Sequence, residues 1–536
     1  MCYIKQLRII GFKKFKDLTV TFNPNKNIII GENEAGKSTI LEALNIVLNQ
    51  QYRNSDKSIL HDLMNKDNIK NFEDDPSFEN LPSIKIEIIF ELDSTDLKSS
   101  EFHGENSLNP KEASYGILFK CEFNKDLFPD NILSNTIKEI PYEYYEMSWS
   151  TFQGKKYSIL KQPLKSILID TSSIDTNNTF NYFNKTIFHS RYSLQEQIHA
   201  KNSFRANLSL LFKELSLPKL NNNRTFDINY KKIILENIIS ILENDIPLEN
   251  KGSGMENLIK TQIALDKSNS KLDVIMIEEP ENHLCYTNLQ QILSTINSYS
   301  KDSQLIITTH NSMIASRLDL RNILWIETNT NQTSKLDNID EETAQFFIKL
   351  DNNNLLHLLL SKKAILVEGP TEYLLLPYFY KKIYKRTLAQ DGITLITCGG
   401  ISYKRYFDIT KNTNIKIAVI TDNDEKDTNL SYMKEHNSQS ISQKIFMDND
   451  LKNFTWEVAL YNCNEQNPDL EKCAGKIDPT ADYKFNKVIY GKNGENKPIL
   501  GKMLNNKVDV AYKILQYEAD LQVPKYVKEA FKWINE

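Results

Sequence analysis

Apolar positions along the first fifty residues change period twice. Ile4, Leu7, Ile9 and Ile10 open a strand, Leu18, Val20 and Phe22 alternate with polar residues, and Ile28-Ile29-Ile30 is a short apolar run. Alternation predicts half-buried strands, and a short run bounded by turn residues predicts an inner one. A glycine loop follows, then a helix over 38–48. Residues 84–92 alternate again, as Ile84-Lys85-Ile86-Glu87-Ile88-Ile89-Phe90-Glu91-Leu92. Between 94 and 185 the pattern is strand-like only in patches. Residues 205–216 and 228–244 read as helices; in the second, Ile234, Ile238, Ile241 and Leu242 fall on one face. From 272 to 330 strand, helix and strand alternate. The polar run Thr328 to Glu342 reads as a linker. Beyond it lie three more apolar strands, at 364–367, 393–397 and 415–421, separated by helical segments. Neither repeats nor sustained heptads are present.

Composition narrows the class without naming a function. The 536 residues suffice for two or three domains. Lys and Arg number 65 against 70 Asp and Glu, so 65 − 70 = −5, and any nucleic-acid site must be a local basic surface or a metal-bridged one. Six cysteines at 2, 121, 285, 398, 463 and 473 include no CxxC pair. That pattern argues against zinc and disulfide frameworks and suits a reducing cytoplasm. Met1-Cys2-Tyr3-Ile4-Lys5 runs straight into a strand, so no signal peptide is expected. No apolar run approaches the roughly 18 residues of a membrane span.

Chemistry enters with Gly31-Glu32-Asn33-Glu34-Ala35-Gly36-Lys37-Ser38-Thr39, a P-loop pattern between a strand and a helix. Gly31, Asn33, Gly36 and Thr39 shape a backbone cradle for phosphates, Lys37 reaches the β and γ phosphates, and Ser38 ligates magnesium. Downstream, Val274-Ile275-Met276-Ile277-Glu278-Glu279-Pro280 is an apolar strand ending in two carboxylates. Glu278 is placed to hold magnesium and Glu279 to polarise the attacking water. Gly252-Ser253-Gly254-Met255-Glu256 opens a helix, and Ser253 and Gly254 there make a second anion site. Ile306-Ile307-Thr308-Thr309-His310 sets a histidine at a strand end.

In this order the motifs resemble the ABC ATPase superfamily over roughly residues 1–330, with a signature helix at 252–256 and His310 as the γ-phosphate sensor. The opening, with Leu7-Arg8-Ile9 and Phe12-Lys13-Lys14-Phe15, resembles the chromosome-maintenance and DNA-repair branch. Without heptads between 50 and 250, a long coiled-coil arm is excluded. Glu278 stands where Asp is usual, Glu256 where Gln is commoner, and no clear Q-loop is present, which leaves the rate of hydrolysis open.

A second set of carboxylates follows. Ala364-Ile365-Leu366-Val367 leads into Glu368-Gly369-Pro370-Thr371-Glu372, and Ile415 to Thr421 leads into Asp422-Asn423-Asp424. Carboxylates at the C-terminal ends of parallel strands share one crevice, and oxygen ligands at that density suit Mg²⁺ or Mn²⁺. Together these segments resemble the Toprim fold. That resemblance makes Glu368 a general acid/base or metal ligand, gives Glu372, Asp422 and Asp424 to metal, and adds Glu457 as a further ligand. An ABC head followed by Toprim resembles the OLD family of ATP-dependent endonucleases, which includes the Gabija nuclease and a retron-associated effector. The resemblance also implies a late catalytic lysine, Lys497 or else Lys502. The basic stretches 381–386 and 403–407 read equally as DNA contacts or solvated helix faces.

The fold class expected is α/β: an ABC-type P-loop ATPase head with an inserted helical dimerisation element, followed by a C-terminal Toprim domain. The spans are 1–190 and 249–345 for the head, 191–248 for the insert and 346–536 for Toprim. The resemblance implies ATP, two Mg²⁺ or Mn²⁺ ions, DNA, and a homodimer or higher homo-oligomer. It also implies an anti-phage role, with a partner defence subunit such as a helicase or a retron reverse transcriptase with its RNA–DNA, and no membrane. The alternative is a non-catalytic DNA-binding sensor or clamp carrying a degenerate Toprim domain.

Overall fold

A computed structural model describes residues 2–536 apart from 96, 128–136, 172–175, 216–225, 227–228, 230–232, 267–271, 299–302, 328–331, 336–338, 350–353, 399–401, 412, 414 and 476–496. It divides into two compact units, Met1–Asn338 and Ile339–Glu536.

The strands of the first unit, in chain order, are β1 (Tyr3–Phe12), β2 (Phe15–Thr21), β3 (Lys26–Ile30), β4 (Ile84–Glu91), β5 (His103–Gly104), β6 (Ser114–Phe123), β7 (Tyr145–Thr151), β8 (Ser166–Asp170), β9 (Leu242–Glu243), β10 (Ile246–Pro247), β11 (Val274–Glu278), β12 (Gln304–Thr308), β13 (Ile323–Glu327) and β14 (Gln332–Lys335). An antiparallel sheet runs β2-β1-β4-β6, with β5 and β7 both on the outer edge of β6. A second sheet runs β14-β13-β3-β12-β11-β8, parallel except for the edge strand β14. β11 and β12 are buried along their whole length, which is why they read as unbroken apolar runs. The helix Lys37–Asn49 lies between the sheets. Its Ile40, Leu44 and Val47 share one core with Leu7, Ile9 and Ile86 of the first sheet and Met276 and Ile306 of the second.

Gln304 joins the sheets by hydrogen bonds. Its Oε1 accepts from the Ile4 amide at 2.9 Å, and its Nε2 donates to the carbonyls of Ile4 and Asn23, each at 2.9 Å. The side chain is fully buried.

Four sequence expectations change. The helix expected over 205–216 begins at Leu194 and follows a first helix, Thr176–Arg191, so the helical segment starts inside the span assigned to the head. A capping box of Ser193 and Glu196 sets the start of its second helix. The described part of 228–244 is not helical: a 3-10 turn at Leu235–Asn237 leads into the hairpin of β9 and β10. Asn244 and Asp245, at φ 52° and 60°, form its turn, and this local chemistry overrides the helical spacing of Ile234, Ile238 and Leu242. The polar linker is in part the edge strand β14, and 328–331 and 336–338 lie outside the described residues. A helix at Glu341–Lys349 spans the expected Toprim start at 346.

The second unit is a parallel sheet of β15 (Lys363–Val367), β16 (Ile393–Thr397), β17 (Lys416–Ile420) and β18 (Gln443–Phe446), in the order β16-β15-β17-β18. Helices Pro370–Tyr384 and Lys525–Asn535 cover one face, packing Leu376, Phe379, Val527 and Phe531 on Ile365, Val367, Ala418 and Ile420. No helix among the described residues is long and apolar enough to cross a membrane.

Replacing Gln304 by alanine takes away the side-chain partner of the buried Ile4 amide and carbonyl, while the Asn23 carbonyl keeps Asn27 Nδ2 at 2.9 Å. The variant should lose about 2–4 kcal/mol of stability by urea denaturation.

Candidate functional site

The strand order of the first unit places the nucleotide motifs. β12 lies between β3, which leads into the P-loop, and β11, which carries the Glu-Glu pair. The loop turns into its helix at Gly36, with φ 96°, where a Cβ would stand 2.3 Å from Phe15 Cζ. No other residue fits there. Gly31 is buried at the loop's start, Asn33 is exposed at its tip, and Thr39 is buried in the helix's first turn. Lys37 Nζ folds over the loop and donates to the carbonyls of Gly31 at 3.0 Å and Glu32 at 3.1 Å. Burial pushes its pKa down, against the pull of Glu279, Glu281 and Glu278.

Glu278 ends β11 beside this loop, and its carboxylate is hydrogen-bonded by Ser38, so the two residues expected to share magnesium are in contact. Its pKa is pushed up to about 7, first by burial, then by Asp170 and Glu279. Asp170 is its register partner at the end of β8. Thr171 Oγ1 donates to the Glu278 and Glu279 carbonyls at 2.7 and 2.8 Å.

Glu279 sits in the left-handed region at φ 41°, and its Oε1 lies 3.3 Å from His310 Nδ1. The candidate water-polarising group and the candidate sensor are thus brought together. Glu281, which sequence reasoning passed over, ties this arrangement down. Its Oε1 accepts from Thr309 Oγ1 at 2.6 Å and from the amides of His310 and Asn311 at 3.0 and 3.1 Å. Ser253 is exposed at the start of the helix Ser253–Leu265. Gly254 approaches the loop after β11 so closely that a Cβ would stand 2.3 Å from the His283 carbonyl oxygen.

In the second unit the four expected carboxylates follow β15 and β17. Val367 and Ile420 are register partners, so Glu368 and Thr421 come next to each other, and Thr421 Oγ1 donates to Glu368 Oε1. Glu372 lies in the first turn of the helix that begins after Gly369, buried, accepting from Thr371 Oγ1 at 2.9 Å. Asp422 Oδ1 accepts from the Trp456 amide at 2.8 Å, at the start of the helix Trp456–Cys463 that carries buried Glu457 in its first turn. Buried Asn423 fixes the turn through the carbonyls of Asp448 and Asp450, at 2.9 and 3.1 Å. Asp424 is exposed, at φ 53°.

The charges in this crevice are mutually unfavourable. Asp422 is pushed up to about 8 by burial, then by Glu368, Glu372 and Glu457. Burial raises Glu372 too, with Glu457 and Glu368 adding to it. Among the described residues no three such side chains close on one point at metal-binding distance. The fit to a divalent cation rests instead on this surplus of negative charge in all-oxygen surroundings.

The late lysine is placed differently from the sequence expectation. Lys497 Nζ pairs with Glu465 at 2.6 Å, beyond the C-terminal end of helix Trp456–Cys463. Glu457 stands eight residues earlier, about 12 Å along a helical rise. Lys502 lies near Gly475, 3.8 Å from where a Cβ would stand. Lys507 is the lysine at the carboxylates: its Nζ bonds Glu457 Oε2 at 2.9 Å. No local motif surrounds it, because helix packing brings it in. In the basic stretches, Arg405 pairs with Glu342 at 2.9 Å, Arg386 with Asp391 at 2.8 Å, and Lys382 with Asp520.

These two constellations define the class: a P-loop ATPase head joined to a Toprim-type domain. A family model described as AAA domain matches residues 6–304, more than half of the chain, and one described as Overcoming lysogenization defect protein-like, TOPRIM domain, matches 359–424. The chain belongs to the AAA-domain family, and its second domain makes it an OLD-family protein, an ABC-type head followed by Toprim. It is similar to Endonuclease GajA of Bacillus cereus (strain HuB5-5), 24% identical over 685 aligned residues covering 99% of each chain. It is also similar to Endonuclease GajA of B. cereus (strain VD045), 22% identical over 78% of this chain and 75% of that one. The C-terminal region of the Burkholderia pseudomallei OLD protein aligns at 16% identity, covering 33% of this chain and 97% of that one; its TM-score of 0.26 gives the likeness no further weight.

A carboxyl whose folded pKa lies above its unfolded value keeps its proton longer when folded, so stability falls as pH rises between the two. For Asp422 the window runs from 3.8 to about 8, and for Glu278 from 4.5 to about 7. The melting temperature of the metal- and nucleotide-free protein should fall across that range, and Asp422→Asn should make the fall shallower. A flat profile in both proteins would contradict this electrostatic picture.

Proposed function

We propose that the chain is an ATP-regulated, divalent-metal-dependent DNA endonuclease that serves as an anti-phage effector. The observation that carries the reading is the carboxylate crevice of the second unit, where Asp422 is pushed up to about 8 among Glu368, Glu372 and Glu457 while Lys507 bonds Glu457. A site built for stability alone would not concentrate like charges this way. Similarity to two proteins named Endonuclease GajA supports the same reading.

Glu368, Glu372, Asp422, Asp424 and Glu457 would hold Mg²⁺ or Mn²⁺, most simply as two ions. Bound there, the metal supplies Lewis-acid neutralisation of the phosphate and a more acidic water. Glu368, exposed at the mouth and oriented by Thr421, accepts the proton of the attacking water. Lys507 is the catalytic lysine in this proposal: its ammonium neutralises charge that grows on the phosphate oxygens. Lys497, held by Glu465, is not assigned that role.

In the head, Gly31, Asn33, Gly36, Lys37 and Thr39 bind the phosphates of ATP, Ser38 and Glu278 hold its magnesium, Glu279 orients water and His310 senses the γ-phosphate. Ser253 and Gly254 face the nucleotide of a second copy. Self-association is supported by the helix Leu194–Glu214, whose Leu194, Ile198, Leu210 and Leu211 are between 58 and 71% exposed. All six cysteines are free, in keeping with a reducing cytoplasm. A helicase or a retron reverse transcriptase with its RNA–DNA remains the candidate partner of such a defence nuclease.

The test is nicking of supercoiled plasmid beside ATP binding on the same preparations. Glu368→Ala, Asp422→Ala and Lys507→Met should each lower nicking on the order of 10²–10³-fold and leave ATP binding intact. Lys37→Ala should lose ATP binding. Calcium should support little cleavage, since its loose coordination positions water poorly. A wild type that binds DNA but never cuts it would favour the sensor or clamp.

A further inference from the structure

The second unit carries a cluster of cations that the carboxylate crevice does not use. Lys363 opens β15, Lys416 opens β17, and the two are register partners. Lys444 on β18 is the partner of Ala418. With a side-chain period of two, all three lysines project from one face. Ile365, Val367, Ala418 and Ile420 show that this is the face covered by the helix Lys525–Asn535. Where the strands begin, lysines thus take positions that apolar residues hold further along. Trp533 of the covering helix meets two of them. Lys416 Nζ lies 4.6 Å and Lys444 Nζ 5.5 Å from its ring centroid, with the Phe446 ring 5.9 Å away.

Ion pairing does not answer these charges. Among the described residues no carboxylate lies within salt-bridge distance of Lys363, Lys416 or Lys444. Glu536 acts on Lys416 only from further away and lies 3.9 Å from Lys532. Burial, Lys363 and Lys444 all push the Lys416 pKa down, as expected of like charges crowded together. In a chain with 70 acidic residues and a net charge of −5, three lysines set side by side on one sheet face make a local concentration of positive charge. The ammonium nitrogens of Lys416 and Lys444 lie over the Trp533 ring, which holds them in place without neutralising their charge and leaves that charge to an anion from outside.

We propose that Lys416 and Lys444, set around Trp533, together with Lys363 beside Lys416, form a second contact for the phosphate backbone of DNA, outside the cleavage crevice. Lys416 and Asp422 are six residues apart along one strand and its exit, roughly 20 Å at an extended rise. That separation directs the lysines to DNA flanking the cut rather than to the scissile phosphate. Such a contact adds affinity and register without reading sequence. The inference rests on the reading of the chain as a DNA endonuclease.

The experiment uses the full chain, with EDTA to prevent cleavage, titrated with a short fluorescein-labelled DNA duplex across a NaCl series. Wild type is compared with Lys416→Gln/Lys444→Gln and with Lys416→Arg/Lys444→Arg, and thermal melting checks each fold. The glutamine pair should bind on the order of tenfold more weakly and lower the slope of log K against log salt by about 2. The arginine pair, which keeps charge and ring stacking, should hold wild-type affinity and slope. Unchanged binding by the glutamine pair overturns the proposal. Equal weakening in the arginine pair also overturns it, because packing and not charge was then lost. If wild type nicks plasmid with Mg²⁺ while the glutamine pair binds as tightly, this surface alone is refuted. A wild type that neither binds nor nicks DNA refutes the endonuclease reading together with it.

Discussion

Burying a carboxylate costs free energy because low-dielectric surroundings disfavour its charge, and burying several side by side compounds that cost. Both units do so at the C-terminal ends of parallel strands. In the head, Glu278 is raised to about 7 by burial, Asp170 and Glu279. In the second unit, Asp422 is raised to about 8 by burial and three neighbours. The surrounding polar groups make sense as an answer to this charge. Ser38 and Thr171 bond the head carboxylates or their backbone, and Thr421, Thr371 and the Trp456 amide do the same in the second unit. Such partners orient the acids without neutralising them.

Backbone strain gathers at the same places. Glu279 and Asp424, each in a carboxylate-bearing turn, sit at φ 41° and 53°, and Glu34 in the phosphate loop at 64°. Non-glycine residues adopt such angles at a cost of order 1–3 kcal/mol. The cost persists because the surroundings over-determine each turn. Glu279 is pinned by its amide to the Thr308 carbonyl at 2.9 Å, and the Asp422–Asp424 turn by buried Asn423. Cooperative burial of the strands before these turns supplies the rigidity: β11, β12, β15 and β17 are buried almost throughout. Packing and site geometry are therefore one problem in this chain, not two.

Legibility from sequence tracks the range of the interactions. The strands β3, β11, β12, β15 and β17 are visible because a parallel strand buried on both faces must be an unbroken apolar run. The acids that close β11, β15 and β17 are visible because they stand directly at the ends of those runs in the chain. The pattern fails where a short-range competitor or a distant partner decides the structure. Asn244-Asp245 makes a hairpin turn inside an apparent helix. A polar run that reads as a linker supplies the edge strand β14, whose single neighbour asks little of its side chains. Glu281 stands in plain view beside Glu279, yet its role depends on the loop after β12, some thirty residues on.

The cationic half of each site shows the same rule most sharply. In the head the lysine is six residues from the glycine whose carbonyl it touches, so phosphate loop and cation form one local motif, Gly31 to Lys37. In the second unit the carboxylates are also local to their strands, but the lysine comes from a separate helix fifty residues beyond its partner Glu457. Nothing near Lys507 in the chain distinguishes it from Lys497 or Lys502, since all three lie in or directly before short helices of ordinary amphipathic character. What separates Lys507 from Lys497 is which end of the helix Trp456–Cys463 each side chain reaches. Lys507 meets the first turn, where Glu457 points at the other acids, and Lys497 meets Glu465 past the last. A site assembled from a strand end and its own loop can be read from a motif. One completed by tertiary packing has to be read from the fold.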